Sequence, residues 1–267
     1  MRKIRTHAIL ASGLALGLAA LAVVAGAGTA PAATPPSSGP SATRASEAPA
    51  VPRRAYADAP GDWPMFHHDA ARTGYNADET VLQPPLRLKW SYATGGAVRT
   101  SPAVTGRTVY VVAEDKALYL LDAQTGVRKP SYQGNAYAFS GSPALAGGVL
   151  YQGADDGSLY ALDAASGRTL WTYLTGSPVR STPAVTGGTV YFTSGTKLYA
   201  LDAQTGALRW SYTTGNPIYA SPAVADGVVY ALFSKPPPAE PYAATTSEMV
   251  ALDAATGGVR WTVSMPY

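Results

Sequence analysis

The feature that most limits what this chain can fold into is a phrase that recurs along it. ALDAQTGALRW at 200–210 has counterparts LLDAQTGVRKP at 120–130, ALDAASGRTLW at 161–171 and ALDAATGGVRW at 251–261. Asp122, Asp163, Asp202 and Asp253 therefore stand 41, 39 and 51 residues apart. A second phrase agrees: TSPAV, GSPAL, STPAV and ASPAV place Pro102, Pro143, Pro183 and Pro222 at intervals of 41, 40 and 39. Each long phrase reads as strand, tight turn, strand. The Asp oxygen can bond back to the amides of the turn it opens, and the Gly supplies the left-handed backbone that closes it. The Trp falls on the last strand of its unit, where a single unit cannot bury so large a ring. Trp171, Trp210 and Trp261 are therefore expected as docking residues between units, with the four Asp residues as structural turn formers. A period near 40 residues holding four short β runs is the signature of a propeller blade.

The consensus A-x-D-x-x-T-G-x-x-x-W, preceded by S-P-A-V and G-x-V-Y, resembles the blade repeat of the pyrroloquinoline-quinone-like (PQQ-like) β-propellers. The resemblance covers 86–267, and DWPMFHHDAARTGYN at 62–76 resembles the lead-in that such proteins carry before their first blade. It implies an all-β propeller of four-stranded blades whose Trp docks one blade onto the next. About four blades are expected, at 99–132, 140–173, 179–212 and 218–263, with strands A to D running outwards from the axis. In the first, A is 99–104, B is 108–113, C is 117–122 and D is 127–132. LRLKWSY at 86–92 aligns with a D strand whose A, B and C partners do not precede it. Family rings hold seven or eight blades, so four with an orphan outer strand make an incomplete, open ring. Pro130 stands where the docking Trp belongs and Leu120 where the other copies have Ala, so the first blade is expected to dock less tightly.

Ahead of the blades, Arg2, Lys3 and Arg5 followed by an apolar run rich in Ala and Gly read as a signal peptide over 1–32. The competing reading is an uncleaved membrane anchor. Residues 33–60, rich in Pro, Ala and Ser, cannot bury a core and read as a disordered tether; 61–98 hold the lead-in and the orphan strand, and 99–267 the blades. The chain has 20 Lys+Arg against 17 Asp+Glu, and three of the basic residues lie before residue 33, which leaves 17 of each sign. A neutral mature chain without a basic cluster excludes nucleic acid as the partner. Without cysteine there is no disulfide, lipoprotein anchor or vicinal-thiol chemistry.

His67, His68 and Asp69 combine metal-ligating types, but adjacent side chains of an extended segment point to opposite faces. No metal is assigned to them. The quinoprotein members of the family hold PQQ with calcium, a stacking Trp, a catalytic Asp and often a Cys pair. Here there is no Cys, every Trp but Trp63 has a docking position or its equivalent, and the repeated Asp residues form turns. No cofactor and no catalytic residue is assigned. What remains is the rim at the mouth of the axis, where the residue three before each repeated Pro varies: Arg99, Ser140, Arg180 and Tyr219 are the candidate ligand-binding residues. An insertion, SKPPPAEPYAATTSE at 234–248, adds to the same rim in the fourth blade. The reading is an exported, periplasmic or secreted, non-enzymatic scaffold for a protein or peptide partner, with self-association as a way to complete the ring. A partial or degenerate quinoprotein oxidoreductase is the alternative.

Overall fold

The computed structural model of the chain describes residues 43–44, 62, 64–73, 87–129, 139–235 and 246–265. The expected signal, most of the tether, Trp63, Pro130 and the tip of the insertion lie outside the described residues. Every regular element among the described residues is a strand. A two-residue strand, β1 (Thr43–Arg44), precedes the blades. The first blade holds β2 (Ala103–Thr105), β3 (Thr108–Val112) and β4 (Leu118–Asp122). The second holds β5 (Phe139–Ala146), β6 (Val149–Ala154), β7 (Ser158–Asp163) and β8 (Thr169–Leu174). The third is β9 (Ala184–Thr186), β10 (Thr189–Ser194), β11 (Lys197–Asp202) and β12 (Leu208–Thr213), and the fourth is β13 (Ala223–Ala225), β14 (Val228–Lys235), β15 (Thr246–Asp253) and β16 (Val259–Met265). Each blade is an antiparallel sheet whose strands follow chain order, and β1 lies on the outer edge of the second. The architecture is an all-β propeller arc of four blades that does not close into a ring among the described residues.

Local chemistry sets the hairpins. The first two strands of each blade are joined by two residues that both take positive φ: 52° and 62° at Gly106 and Arg107, 49° and 71° at Asp226 and Gly227. That is the mirror-image turn whose twist matches paired strands. The inner strands differ from expectation. In the first, third and fourth blades pairing begins at the Ala after the repeated Pro, so β2, β9 and β13 have only three residues each. In the second blade Pro143 lies inside β5, but the register breaks between Ser140 and Ala144, which carries the ladder past it. A residue without an N–H is thus kept out of the pairing rather than tolerated within it. The orphan segment 87–92 likewise forms no strand, since no strand among the described residues pairs with it.

The core lies between blades, not within them. Successive residues of a strand point to opposite faces. In the second blade Leu150, Tyr160 and Leu162 pack with Tyr110 and Leu118 of the first, while Tyr151, Leu159 and Ala161 pack with Val190, Phe192 and Leu201 of the third. In the third blade Tyr191, Leu198 and Ala200 turn the other way, toward Val229, Val250 and Leu252 of the fourth.

Candidate functional site

The repeated letters of the sequence form one row across each blade. Ala144, Tyr151, Ala161 and Trp171 are register partners on four consecutive strands. Ala184, Tyr191, Ala200 and Trp210 repeat the row in the third blade. The row ends in a tilted Tyr–Trp ring pair, with centroids 5.9 Å apart and planes at 49° in both blades. Trp171 and Trp210 are 2% and 6% exposed. Their indoles lie on the turn glycine of the following blade: a Cβ added to Gly206 would come 2.7 Å from Cδ2 of Trp171, and one on Gly257 equally close to Trp210. Only glycine, at φ 73° in both turns, meets the ring and the backbone together.

Polar contacts fix the same joint. Trp171 Nε1 and the Tyr151 hydroxyl both donate to the carbonyl of Ala203, at 3.2 and 3.0 Å. Trp210 and Tyr191 do the same to Ala254, at 3.0 and 3.1 Å. Those carbonyls follow the turn Asp, whose side chain organises the turn: Asp202 accepts from the amides of Gln204 and Thr205 at 3.0 and 2.9 Å. Burial works against the Asp202 carboxylate, yet the Arg209 hydrogen bond and the Thr205 contacts hold it down to about 2. At Asp253 the Arg260 hydrogen bond, followed by the Thr256 amide, also gives about 2. Asp122 is lowered chiefly by the amide of Thr125. Asp163 accepts from the Ser166 amide at 2.8 Å.

The ends of the arc differ from its middle. Trp90, from the segment without strand partners, lies over Gly126 and donates to the Ala123 carbonyl at 3.0 Å. Between the first and second blades, among the described residues, only the Tyr110 hydroxyl reaches the matching carbonyl, that of Ala164, at 3.3 Å. Leu120, 3% exposed, fills the row position held elsewhere by Ala. Trp261, expected among the docking residues, is 44% exposed, since no blade among the described residues follows to cover it.

Two further sets of contacts run around the axis. The residue before each repeated Pro carries a hydroxyl that accepts the amide of its counterpart one blade earlier. Ser101 N–H donates to Ser142 Oγ at 2.9 Å, Ser142 N–H to Thr182 Oγ1 at 3.1 Å, and Thr182 N–H to Ser221 Oγ at 2.9 Å. The lead-in, 62–73, then ties all four inner strands. Asp62 accepts from Thr105 Oγ1 in the first blade at 3.0 Å, and the Pro64 carbonyl from the Leu145 amide in the second at 2.8 Å. Arg72 donates to the Thr182 carbonyl in the third at 2.9 Å and to Pro222 in the fourth at 3.2 Å. The Ala70 carbonyl takes the Val224 amide at 2.7 Å. Burial lowers the Arg72 guanidinium to about 10, so it stays charged at neutral pH and spends that charge on backbone carbonyls.

At the rim, two of the four candidate residues share one acidic partner. Arg99 pairs with Glu114 at 2.5 Å, while Ser140 and Arg180 both bond Asp155, at 3.1 and 2.8 Å. Asp155 accordingly raises the pKa of Arg180. Tyr219 is 80% exposed. Glu114 and Asp155 are the partners that sequence reading missed, because each sits in a turn 15 or 25 residues from its Arg. The hydroxyl before each Pro did leave a signal, since Ser or Thr occupies all four positions.

His67 and His68 both take positive φ, and His68 Nδ1 lies 3.7 Å from Asp69. Among the described residues no three His, Cys, Asp or Glu side chains gather in a way that could hold a metal ion. Among the described residues, Trp90, Trp171 and Trp210 each have their indole against a turn glycine, and the repeated Asp residues are held by turn amides, so none of these is free to hold a quinone.

The row, the turn and the interblade Trp define a PQQ-like repeat propeller. Residues 86–139 and 131–266 match the family model described as "Outer membrane protein assembly factor BamB" (PQQ_2), and the chain belongs to that family. A comparison with characterised protein sequences finds no match. Among solved structures, the arc is similar to quinohemoprotein alcohol dehydrogenase from Comamonas testosteroni, at 23% identity and TM-score 0.61, covering 79% of this chain and 42% of that one. A europium-containing methanol dehydrogenase matches at 19% identity and TM-score 0.63, covering 78% and 49%. BamB from Moraxella catarrhalis matches at 21% identity and TM-score 0.48, covering 65% and 66%. The chain spans less than half the length of the dehydrogenases it matches. Those likenesses concern the fold alone.

Proposed function

We propose that the chain is a non-enzymatic scaffold acting outside the cytoplasm, and that it takes a protein or peptide partner on the rim carrying Arg99, Ser140, Arg180 and Tyr219. The observation that carries this reading is Tyr219, a large aromatic side chain left 80% exposed beside a rim whose charges are paired. Aromatic side chains with a polar tip are enriched at protein interfaces. The β14–β15 hairpin of the fourth blade is longer than the hairpins at the same place in the other blades, with eight residues in each strand. Membership of a family described as an assembly factor supports a partner-binding role, and the N-terminal signal pattern supports export. Against a quinoprotein reading, the repeated Asp and Trp residues are already engaged in turns and joints.

The test places a photo-crosslinking amino acid at position 219 of the full chain in cells, with position 107, on a hairpin turn between the first and second strands of its blade, as control. A discrete protein adduct from 219 that is absent from 107 is the expected result. Stoichiometric retention of PQQ with calcium, together with dye-linked alcohol oxidation, would overturn the reading in favour of an oxidoreductase.

A further inference from the structure

The outer edges of the blades come from the same place in the repeat, yet among the described residues only one carries a further strand. β8 of the second blade pairs antiparallel with β1, with Thr43 opposite Thr172 and Arg44 opposite Trp171. That sheet runs β1-β8-β7-β6-β5, whereas β12 and β16 are outermost in theirs. The edges also differ at one repeat position, seven residues after the turn Asp. Lys129, Arg209 and Arg260 hold it in the first, third and fourth blades, and Leu170 holds it in the second. Lys129 and Arg209 each reach a hydroxyl on the second strand of their blade, that of Thr108 and Thr189. Arg209 and Arg260 pair with the turn Asp at 2.8 and 2.7 Å, and their side chains stay 42% and 44% exposed. A cation on an outer strand keeps that edge hydrated and discourages another strand from pairing with it. β8, TLWTYL, has no charged residue and no Pro. Its Thr, Trp and Tyr residues favour pairing.

We propose that the outer edge of the second blade is a docking site for an extended strand, that its occupant is the Thr43–Arg44 segment of the same chain, and that Leu170, in place of the cation of the other blades, marks this edge for it. Backbone pairing supplies the hold, as wherever an extended peptide adds to a sheet, and the uncharged edge supplies the choice among blades. The reach is sufficient. The 17 residues between Arg44 and Asp62 span up to about 60 Å when extended. The four strands from β5 to β8, about 4.8 Å apart, occupy only about 20 Å. The docked strand covers backbone groups that would otherwise offer themselves to another chain. It also pins the Pro- and Ala-rich N-terminal stretch to the propeller at Thr43–Arg44, so that stretch does not act as a free spacer along its whole length. This edge is distinct from the rim, and its docking does not depend on the rim having a partner.

The test is hydrogen exchange of the full chain, read residue by residue along β8 and β12. In an antiparallel edge strand every second amide points away from the inner neighbour. On β8 those outward amides should exchange about tenfold or more slowly than their counterparts on β12. Thr43→Pro combined with Arg44→Pro removes both amides of β1 and should bring the outward amides of β8 to the β12 rate. The amides of β8 that bond β7 should keep their protection, which shows that the blade is still folded. Leu170→Lys should have the same effect with β1 left intact. Outward amides of β8 that exchange as fast as those of β12 in the parent, or that stay protected in the double Pro variant, overturn the docking. Protection unchanged by Leu170→Lys overturns the part given to the edge charge. Protection that rises with protein concentration and survives the Pro changes would also overturn the proposal and name a second copy as the occupant.

Discussion

The joint between the second and third blades and the joint between the first and second are built from the same repeat, yet they are closed differently. At the former, Trp171 covers Gly206 and shares the Ala203 carbonyl with Tyr151. At the latter the Trp position is Pro130, the Ala164 carbonyl takes Tyr110 at 3.3 Å, and Leu120 replaces Ala in the row.

The largest expected effect contrasts a covered ring with an uncovered one. Trp171→Ala and Trp210→Ala should each lower unfolding free energy by about 3–5 kcal/mol in urea titrations. Trp261→Ala, on an open face, should stay within about 0.5 kcal/mol of the parent. Equal losses at all three would erase the distinction. Next in size, Leu120→Ala should cost about 2–5 kcal/mol, and Leu120→Ala combined with Pro130→Trp should recover a large part of it. Additive losses in that double variant would mean that Leu120 does not substitute for the ring.

How far the sequence revealed this arrangement depends on whether a contact recurs. The Asp-x-x-Thr/Ser-Gly turn and the following Trp were legible because four copies hold them in step. The propeller class followed from their spacing. The Ala of the row was legible only as a letter; its reason, register beside Tyr and Trp, needs the pairing. Contacts made once were not legible. Arg72 reaches the Pro222 carbonyl across 150 residues, and nothing near either position announces it. At the rim, the acids that pair with Arg99 and Arg180 lie in other turns, so their contacts were not legible. The inner strands were read too long because the Pro was taken as part of them.

Smaller effects sharpen the comparison further. Tyr110→Phe leaves the Ala164 carbonyl without that donor and should cost about 1–3 kcal/mol, whereas Tyr151→Phe leaves Trp171 on Ala203 and should cost about 1 kcal/mol. Thermal melts of the two variants side by side decide it; a larger loss at Tyr151 would show that the shared carbonyl is not satisfied by one donor. The smallest effect is electrostatic. Asp202 has a folded pKa of about 2, below its ordinary 3.8, so its contribution is complete above pH about 4 and is lost as the pH falls toward 2. Asp253 behaves alike. Both carboxylates are partly open to solvent, which keeps the effect small. Asp202→Asn should therefore lower the melting temperature at pH 7 and narrow the gap to the parent near pH 2; an undiminished gap at pH 2 would contradict it.

The lead-in also sets an order of events. It is made before any blade, yet its last partner, the Pro222 carbonyl, leaves the ribosome some 150 residues after Arg72. Closing a loop of that length costs about 4 kcal/mol in chain entropy beyond the constant term. Contacts of such separation form late in folding. During synthesis the blades must therefore stack on one another first, through joints between neighbours in sequence, while Arg72 waits for the fourth. A chain interrupted before Pro222 would still hold Asp62 and Pro64 against the first two blades and leave Arg72 short of its final anchor. Protease sensitivity, followed during timed synthesis, would then fall around Asp62 and Pro64 with the first two blades and around Arg72 only in a late step.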